Sequence, residues 1–143
     1  MTDGAAAQGT PSRHRALIVD GEESMRLLLA HIISNDLQVD MTLAGTCEQV
    51  LKLAGNCAYD AILLDLLMPG ISGIKVLDEI RSSSPNTTTP VIIVSVLSDP
   101  DTRNRCMAGG ATAYVVKPVE RKSLVATVRS QIESRRKPKS LVN

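Results

Sequence analysis

The chain has 143 residues, 43% of them hydrophobic and 22% charged, which suits one globular domain with a single buried core. No apolar run approaches the ~20 residues of a membrane helix, and the N-terminus lacks the apolar stretch of a secretory signal. The formal charge is +1, but Ala16–Ser134 holds ten Lys and Arg against fourteen Asp and Glu, a net of −4, which excludes a basic DNA-binding body.

Residues Met1–Arg15 are rich in Gly, Ala, Ser, Thr and Gln and read as a disordered leader; Met1 reads as a natural start. Ala16–Val19 (ALIV) is the first strand, and it ends in Asp20. After Gly21-Glu22-Glu23-Ser24, the residues Met25, Leu28, Leu29, Ile32 and Ile33 fall on one face of a helix. Ser24 is a candidate cap, and the acids before it suit the helix dipole. Val39–Ala44 alternates and reads as the second strand. Thr46 caps a helix with the face Cys47, Val50, Leu51 and Ala54, closed by Gly55 and Asn56.

Ala61–Leu64 (AILL) is a run of the kind buried on both faces of a sheet, and Asp65 follows it. Met68-Pro69-Gly70 then forces a loop. Ser72 caps a helix carrying Ile74, Leu77 and Ile80, and Ser82–Pro90 reads as a polar loop. Val91–Val94 (VIIV) is a fourth strand with Ser95 at its end. A weakly amphipathic helix, Asp101–Ala108, is closed by Gly109-Gly110. Ala113–Val116 is a fifth strand ended by Lys117-Pro118. A last helix runs from about Arg121 to Ser134, and a basic tail follows from Arg135 to Asn143.

Strict alternation of strand and helix implies a parallel sheet covered on both faces. With right-handed crossovers the expected strand order is 2-1-3-4-5, in a (βα)5 three-layer sandwich. The carboxyl ends of the strands then form one rim, and Asp20, Asp65, Ser95 and Lys117 all fall on it. Two carboxylates at ~4 Å repel by about 4 kcal/mol at an effective dielectric of 20. A hard divalent cation such as Mg²⁺ relieves that repulsion and commonly joins carboxylates to phosphate. Two acids, a lysine and a hydroxyl suit phosphoryl transfer onto an aspartate.

LIVDGEESMR, ILLDLLMPGISG, IIVS and AYVVKP, in this order, resemble the marker segments of the two-component response-regulator receiver domain, above all the stand-alone chemotaxis type. The likeness covers Ala16–Ser134 and implies the flavodoxin-like fold. It implies that Asp65 accepts a phosphoryl group from a histidine kinase or a phosphotransfer protein. Asp20 and Asp65 would hold Mg²⁺, with the Leu67 carbonyl as a further ligand. Ser95 would move toward the phosphoryl oxygens, Tyr114 would swing inward behind it, and Lys117 would pair with the phosphate across a cis Lys117–Pro118 bond. The signal would leave through the fourth helix, fifth strand and fifth helix toward a downstream protein target. The resemblance further implies a cytoplasmic phosphoprotein, not an enzyme, that contacts neither DNA nor membrane and is a monomer or weak homodimer.

One departure stands out. The family normally carries two adjacent acids after the first strand, whereas Gly21 follows Asp20 here. The Mg²⁺ site is then weakened, or Glu22 or Glu23 reaches in on a Gly-loosened loop. A domain that binds partners without phosphorylation is the alternative reading. Val96 is often smaller in the family, and Leu67 and Leu97 stand where polar residues often orient water. Apolar groups there exclude water and slow dephosphorylation.

Blander readings remain beside these. Asp20 and Asp65 can each cap a helix, Ser95 and Lys117 can be ordinary strand-end residues, and Tyr114 an ordinary half-buried ring. Cys47, Cys57 and Cys106 form no C-x-x-C pair or zinc pattern, and His14 and His31 have no metal-ligand spacing. A flavin or nucleotide binder on the same fold lacks its Gly-rich phosphate loop: DGEES is acidic where a phosphate needs donors.

Overall fold

Five short strands set the frame: β1 His14–Val19, β2 Val39–Ala44, β3 Ala61–Leu64, β4 Val91–Ser95 and β5 Ala113–Val116. They come from a computed structural model that describes residues 13–136. All pair in parallel, in the order β2-β1-β3-β4-β5. The helices are α1 Glu23–Asp36, α2 Cys47–Asn56, α3 Gly73–Ser83, α4 Pro100–Ala108 and α5 Arg121–Arg136.

The period-two rule sorts the strand side chains into two cores. Leu17, Val19, Ile62, Leu64 and Ile93 face one way and meet Val50 of α2, Leu77 and Ile80 of α3 and Cys106 of α4. Ile18, Leu63, Ile92 and Val94 face the other way and meet Leu29 and Ile33 of α1 and Leu124 and Val128 of α5. β3 and β4 are buried at every position, which is why AILL and VIIV are continuous apolar runs.

Several boundaries differ from the expectation, each for a local reason. β1 begins at His14, two residues before its apolar run, because backbone bonds carry it further. The Arg15 amide donates to Asp60 Oδ2, and the Asp60 amide donates to the Arg15 carbonyl. Of the expected leader, 1–15, and tail, 135–143, residues 1–12 and 137–143 lie outside the described residues, while Arg15 belongs to β1 and Arg135 and Arg136 to α5. Glu22, not Ser24, is the N-cap of α1, and its side chain makes no capping bond. Leu28 is exposed on α1, and the buried face is Leu29, Ile32 and Ile33. Ser82 and Ser83 belong to α3, whose end is held by hydroxyls: Ser82 Oγ donates to the Asp78 carbonyl and Ser84 Oγ to that of Ile80. α4 starts one residue early, with Pro100 in its first turn and Asp99 accepting from the Thr102 amide. Thr46 and Ser72 cap α2 and α3 as expected.

The register decides where the site forms. Val19 lies opposite Leu64, and Leu64 opposite Ile93. The next residues of β1 and β3, Asp20 and Asp65, therefore leave the sheet side by side.

Candidate functional site

Asp20 is 1% exposed and Asp65 5%, so two carboxylates are buried at the same rim. Lys117 follows β5, and its amide donates to the Ser95 carbonyl at 2.8 Å, which ties the end of β5 to that of β4. From there its side chain, 9% exposed, reaches across two strands. Its Nζ lies 2.6 Å from Asp20 Oδ2 and 3.4 Å from Asp65 Oδ2. The Lys117–Pro118 peptide is cis.

The remaining carboxylate oxygens take backbone donors. Glu22 N–H donates to Asp20 Oδ1 at 2.9 Å, and Leu67 N–H donates to Asp65 Oδ1 at 3.3 Å. Burial pushes the Asp65 carboxyl up, more than the Leu67 amide and the Lys117 charge pull it down; Asp20 pushes it further up. For Lys117 burial acts downward. The Asp20 hydrogen bond and the two carboxylate charges outweigh it, and the ammonium is held above its ordinary pKa. Two buried carboxylates thus meet one ammonium, and burial works against the charged form of Asp65.

Ser95 is fully buried at the end of β4, and its Oγ accepts from the Leu97 amide at 3.2 Å. Tyr114 is half-buried, with its hydroxyl donating to the Leu97 carbonyl at 2.7 Å and Arg103 standing 5.4 Å over its ring. Tyr114 is therefore already turned in beside the segment that follows Ser95. Burial pushes its phenol pKa up.

Of the residues singled out in the sequence, Asp20, Asp65 and Lys117 come together, with Ser95 and Tyr114 on the adjoining strands. Glu22 does not join them as a ligand. It is exposed as the residue before α1, and it bonds Asp20 through its amide. Among the described residues no three His, Cys, Asp or Glu side chains form a metal-holding group. Gly21 leaves real space: a Cβ there would meet Pro69 Cδ at 3.4 Å and the Leu67 carbonyl oxygen at 3.8 Å. The Leu67 carbonyl thus faces the Asp20–Gly21 link. Asp20, Asp65 and that carbonyl make an all-oxygen donor set of the type Mg²⁺ takes, with one carboxylate fewer than a full acidic cluster. Arg26 was missed from sequence, and its Nη1 donates to the Asp20 carbonyl at 2.7 Å. An arginine one turn into a helix carries no signal that it folds back over the strand before it.

A parallel sheet ordered 2-1-3-4-5, with two acids and a lysine gathered at its carboxyl edge, is the architecture of a signalling receiver. Residues 16–129 match the response regulator receiver domain family, and the chain belongs to it. It is 34% identical over 131 residues to the response regulator ArlR of Staphylococcus saprophyticus, covering 90% of this chain and 56% of that protein. The chain spans about half or less of the length of the curated relatives it matches. The receiver domain of the Francisella response regulator 1452 superposes with a TM-score of 0.79 at 25% identity, over 86% of this chain and 99% of that one. The receiver domain of the sensor histidine kinase PA1611 of Pseudomonas aeruginosa, crystallised with a magnesium ion in its active-site cleft, gives 0.77 at 24% identity, over 85% and 99%.

Proposed function

We propose that this chain accepts a phosphoryl group on Asp65 from the phosphohistidine of a histidine kinase or phosphotransfer protein, and relays the event through α4, β5 and α5 to a downstream protein. The observation that carries this is the Lys117 ammonium shared between two buried carboxylates from β1 and β3. Burial raises the Asp65 pKa, and a carboxylate so raised is a better nucleophile than an exposed one. In the transfer an Asp65 oxygen forms the new P–O bond as the donor's P–N bond breaks, and the electron pair leaves on the imidazole. Lys117 then shifts its hydrogen bonds to the phosphoryl oxygens, and the Ser95 hydroxyl donates a further one. Bound Mg²⁺ would supply charge neutralisation for those oxygens, held by Asp20, Asp65 and the Leu67 carbonyl.

The readout follows from the hydrogen bonds at β4 and β5. Ser95 holds the Leu97 amide while Tyr114 holds the Leu97 carbonyl, so a move of Ser95 toward the phosphoryl group pulls on the segment that positions Tyr114. Leu67 follows Asp65 by two residues, and Leu97 follows Ser95 by two. Their apolar side chains should keep water from the acyl phosphate. A phospho-aspartate lifetime of seconds would contradict that.

No helix among the described residues is long and apolar enough to cross a membrane, which accords with a cytoplasmic site of action. The acidic body accords with a partner that is protein rather than DNA. The decisive measurement is intact mass after treatment with a small acyl phosphate and Mg²⁺. The expected result is one added phosphoryl group on the wild type and none on Asp65→Asn. A folded wild type that gains no mass at any Mg²⁺ concentration would favour the second reading, a phosphorylation-independent interaction module. Gly21 and the exposed Glu22 are the observations on that side.

A further inference from the structure

We infer that Arg26 is a positioning residue for Asp20, holding still a loop that Gly21 would otherwise leave free. The inference rests on the reading of Asp20 as a cation ligand. Arg26 lies one turn into α1 and points back over the rim, where its Nη1 donates to the Asp20 carbonyl at 2.7 Å. The same guanidinium stands against Gly45, just past β2. A Cβ at residue 45 would stand 2.5 Å from Nη1 and 3.0 Å from Cζ. Residue 45 must therefore lack a side chain for Arg26 to lie where it does. Among the described residues Arg26 forms no ion pair with a carboxylate. Its one fixed bond goes to main chain.

That bond completes the restraint on Asp20. The Asp20 amide donates to the Ala44 carbonyl at 3.2 Å, Oδ1 accepts from Glu22 N–H and Oδ2 from Lys117. The carbonyl is the remaining polar point, and Arg26 takes it. The next residue is Gly21, whose backbone has the widest conformational range of any residue. Without the guanidinium the Asp20–Gly21 peptide is free to rotate, and the Glu22 bond that aims the carboxylate goes with it. Arg26 thus acts through Asp20, without touching the cation.

A charge-only role makes the opposite prediction. A positive charge held at the Asp20 main chain opposes cation binding there, so on that view its removal would tighten binding. A positioning role means that removal loosens it.

The test uses Arg26→Ala, Gly45→Ala, their double variant, and Arg26→Ala combined with Gly21→Ala. Two properties are read: hydrogen exchange at the Gly21 and Glu22 amides without metal, and Mn²⁺ affinity by electron paramagnetic resonance. Arg26→Ala should speed exchange at these amides about tenfold and weaken Mn²⁺ binding about fivefold. Gly45→Ala should do the same, because its methyl displaces a flexible guanidinium. The double variant should be no worse than either single one, since both remove the same contact. Gly21→Ala, whose Cβ has room, should recover at least half of the loss by stiffening the loop. Amides of β3 and β4 should keep wild-type protection, which separates a local effect from general instability. Unchanged exchange at Gly21 and Glu22, tighter Mn²⁺ binding, additive losses in the double variant or no recovery with Gly21→Ala would each overturn the inference. If the wild type binds no Mn²⁺, the cation reading of Asp20 fails, while the exchange measurement still decides the role of Arg26.

Discussion

The two edges of the sheet bury polar groups in opposite ways. At the amino-terminal edge Asn86 is fully buried and every bond its side chain can make is taken. Its Oδ1 accepts from the Tyr59 amide and the Thr89 hydroxyl, and its Nδ2 donates to the carbonyls of Ala54 and Cys57. Arg81 closes the surroundings by donating to the Asn86 and Gly110 carbonyls. At the carboxyl-terminal edge Asp20 and Asp65 are nearly as buried, yet they carry charge and share a single ammonium. One edge saturates its buried polar side chain, and the other is ionic with acceptor capacity in reserve. Saturation fixes a loop; unspent capacity leaves a place for a ligand or a reacting group.

The comparison makes its largest claim about stability at the closed edge. Asn86→Ala strips partners from the Tyr59 amide and two carbonyls at once, while the Thr89 hydroxyl keeps the Tyr59 carbonyl as an acceptor. At 1–3 kcal/mol for each buried orphan, partly relieved by water, the loss should be about 4 kcal/mol in a urea melt. A loss under about 1 kcal/mol would show that water replaces the side chain freely, and that the edge is not closed.

The matching change at the open edge is Lys117→Met, measured with a chelator present. It leaves two buried carboxylates facing each other without a cation, and should cost about 3 kcal/mol. Added Mg²⁺ should return part of that loss, because the carboxylates then regain a positive partner. A variant as stable as wild type in chelator would mean that the carboxylates are solvated, contrary to their burial.

A smaller effect is expected from Gly21→Asp. The Cβ fits against Pro69, and the new carboxylate starts beside the Leu67 carbonyl. Divalent-ion affinity should rise about tenfold, by analogy with adding one charged oxygen ligand to a cation site. Unchanged affinity by calorimetry would show that position 21 faces away from the cation.

These two edges were not equally legible in the sequence. Asp20, Asp65 and Lys117 each end an apolar run, so once parallel order is assumed their convergence follows from the register. The strands were legible for the same reason, because a strand buried on both faces must be apolar throughout. Asn86 sits in a Ser/Thr-rich stretch that reads as ordinary loop, and only the folded chain brings α2, β3 and β4 around it. Arg26 was hidden in the same way, because its partner is a carbonyl, which every residue carries. The place of Glu22 was less legible, because sequence offers reach but not direction: the turn at Gly21 spends its amide on Asp20 and leaves the residue exposed. Leu28 was misplaced because α1 buries a narrower stripe than its leucines suggest.

The finest test concerns the sign of one charge. Burial raises the Asp65 pKa despite the nearby ammonium. An acid raised by folding holds its proton more tightly in the folded state than in the unfolded one. Its favourable contribution is therefore complete below the unfolded carboxyl pKa of about 3.9 and is lost as pH rises through the folded value. At neutral pH the ionised Asp65 weighs against folding, whereas Asn at the same position carries no charge to bury. With metal removed, Asp65→Asn should melt above the wild type at pH 7, and the gap should close as the pH falls toward 4 and the wild-type carboxyl takes up its proton. The Asn86 edge holds no titrating side chain among its four bonds, so Thr89→Val, which removes one of them, should lower the melting temperature by the same amount at both pH values. A neutral-pH melting temperature of Asp65→Asn below wild type would mean that the Lys117 pairing outweighs burial, and that the open edge stabilises the fold instead of drawing on it.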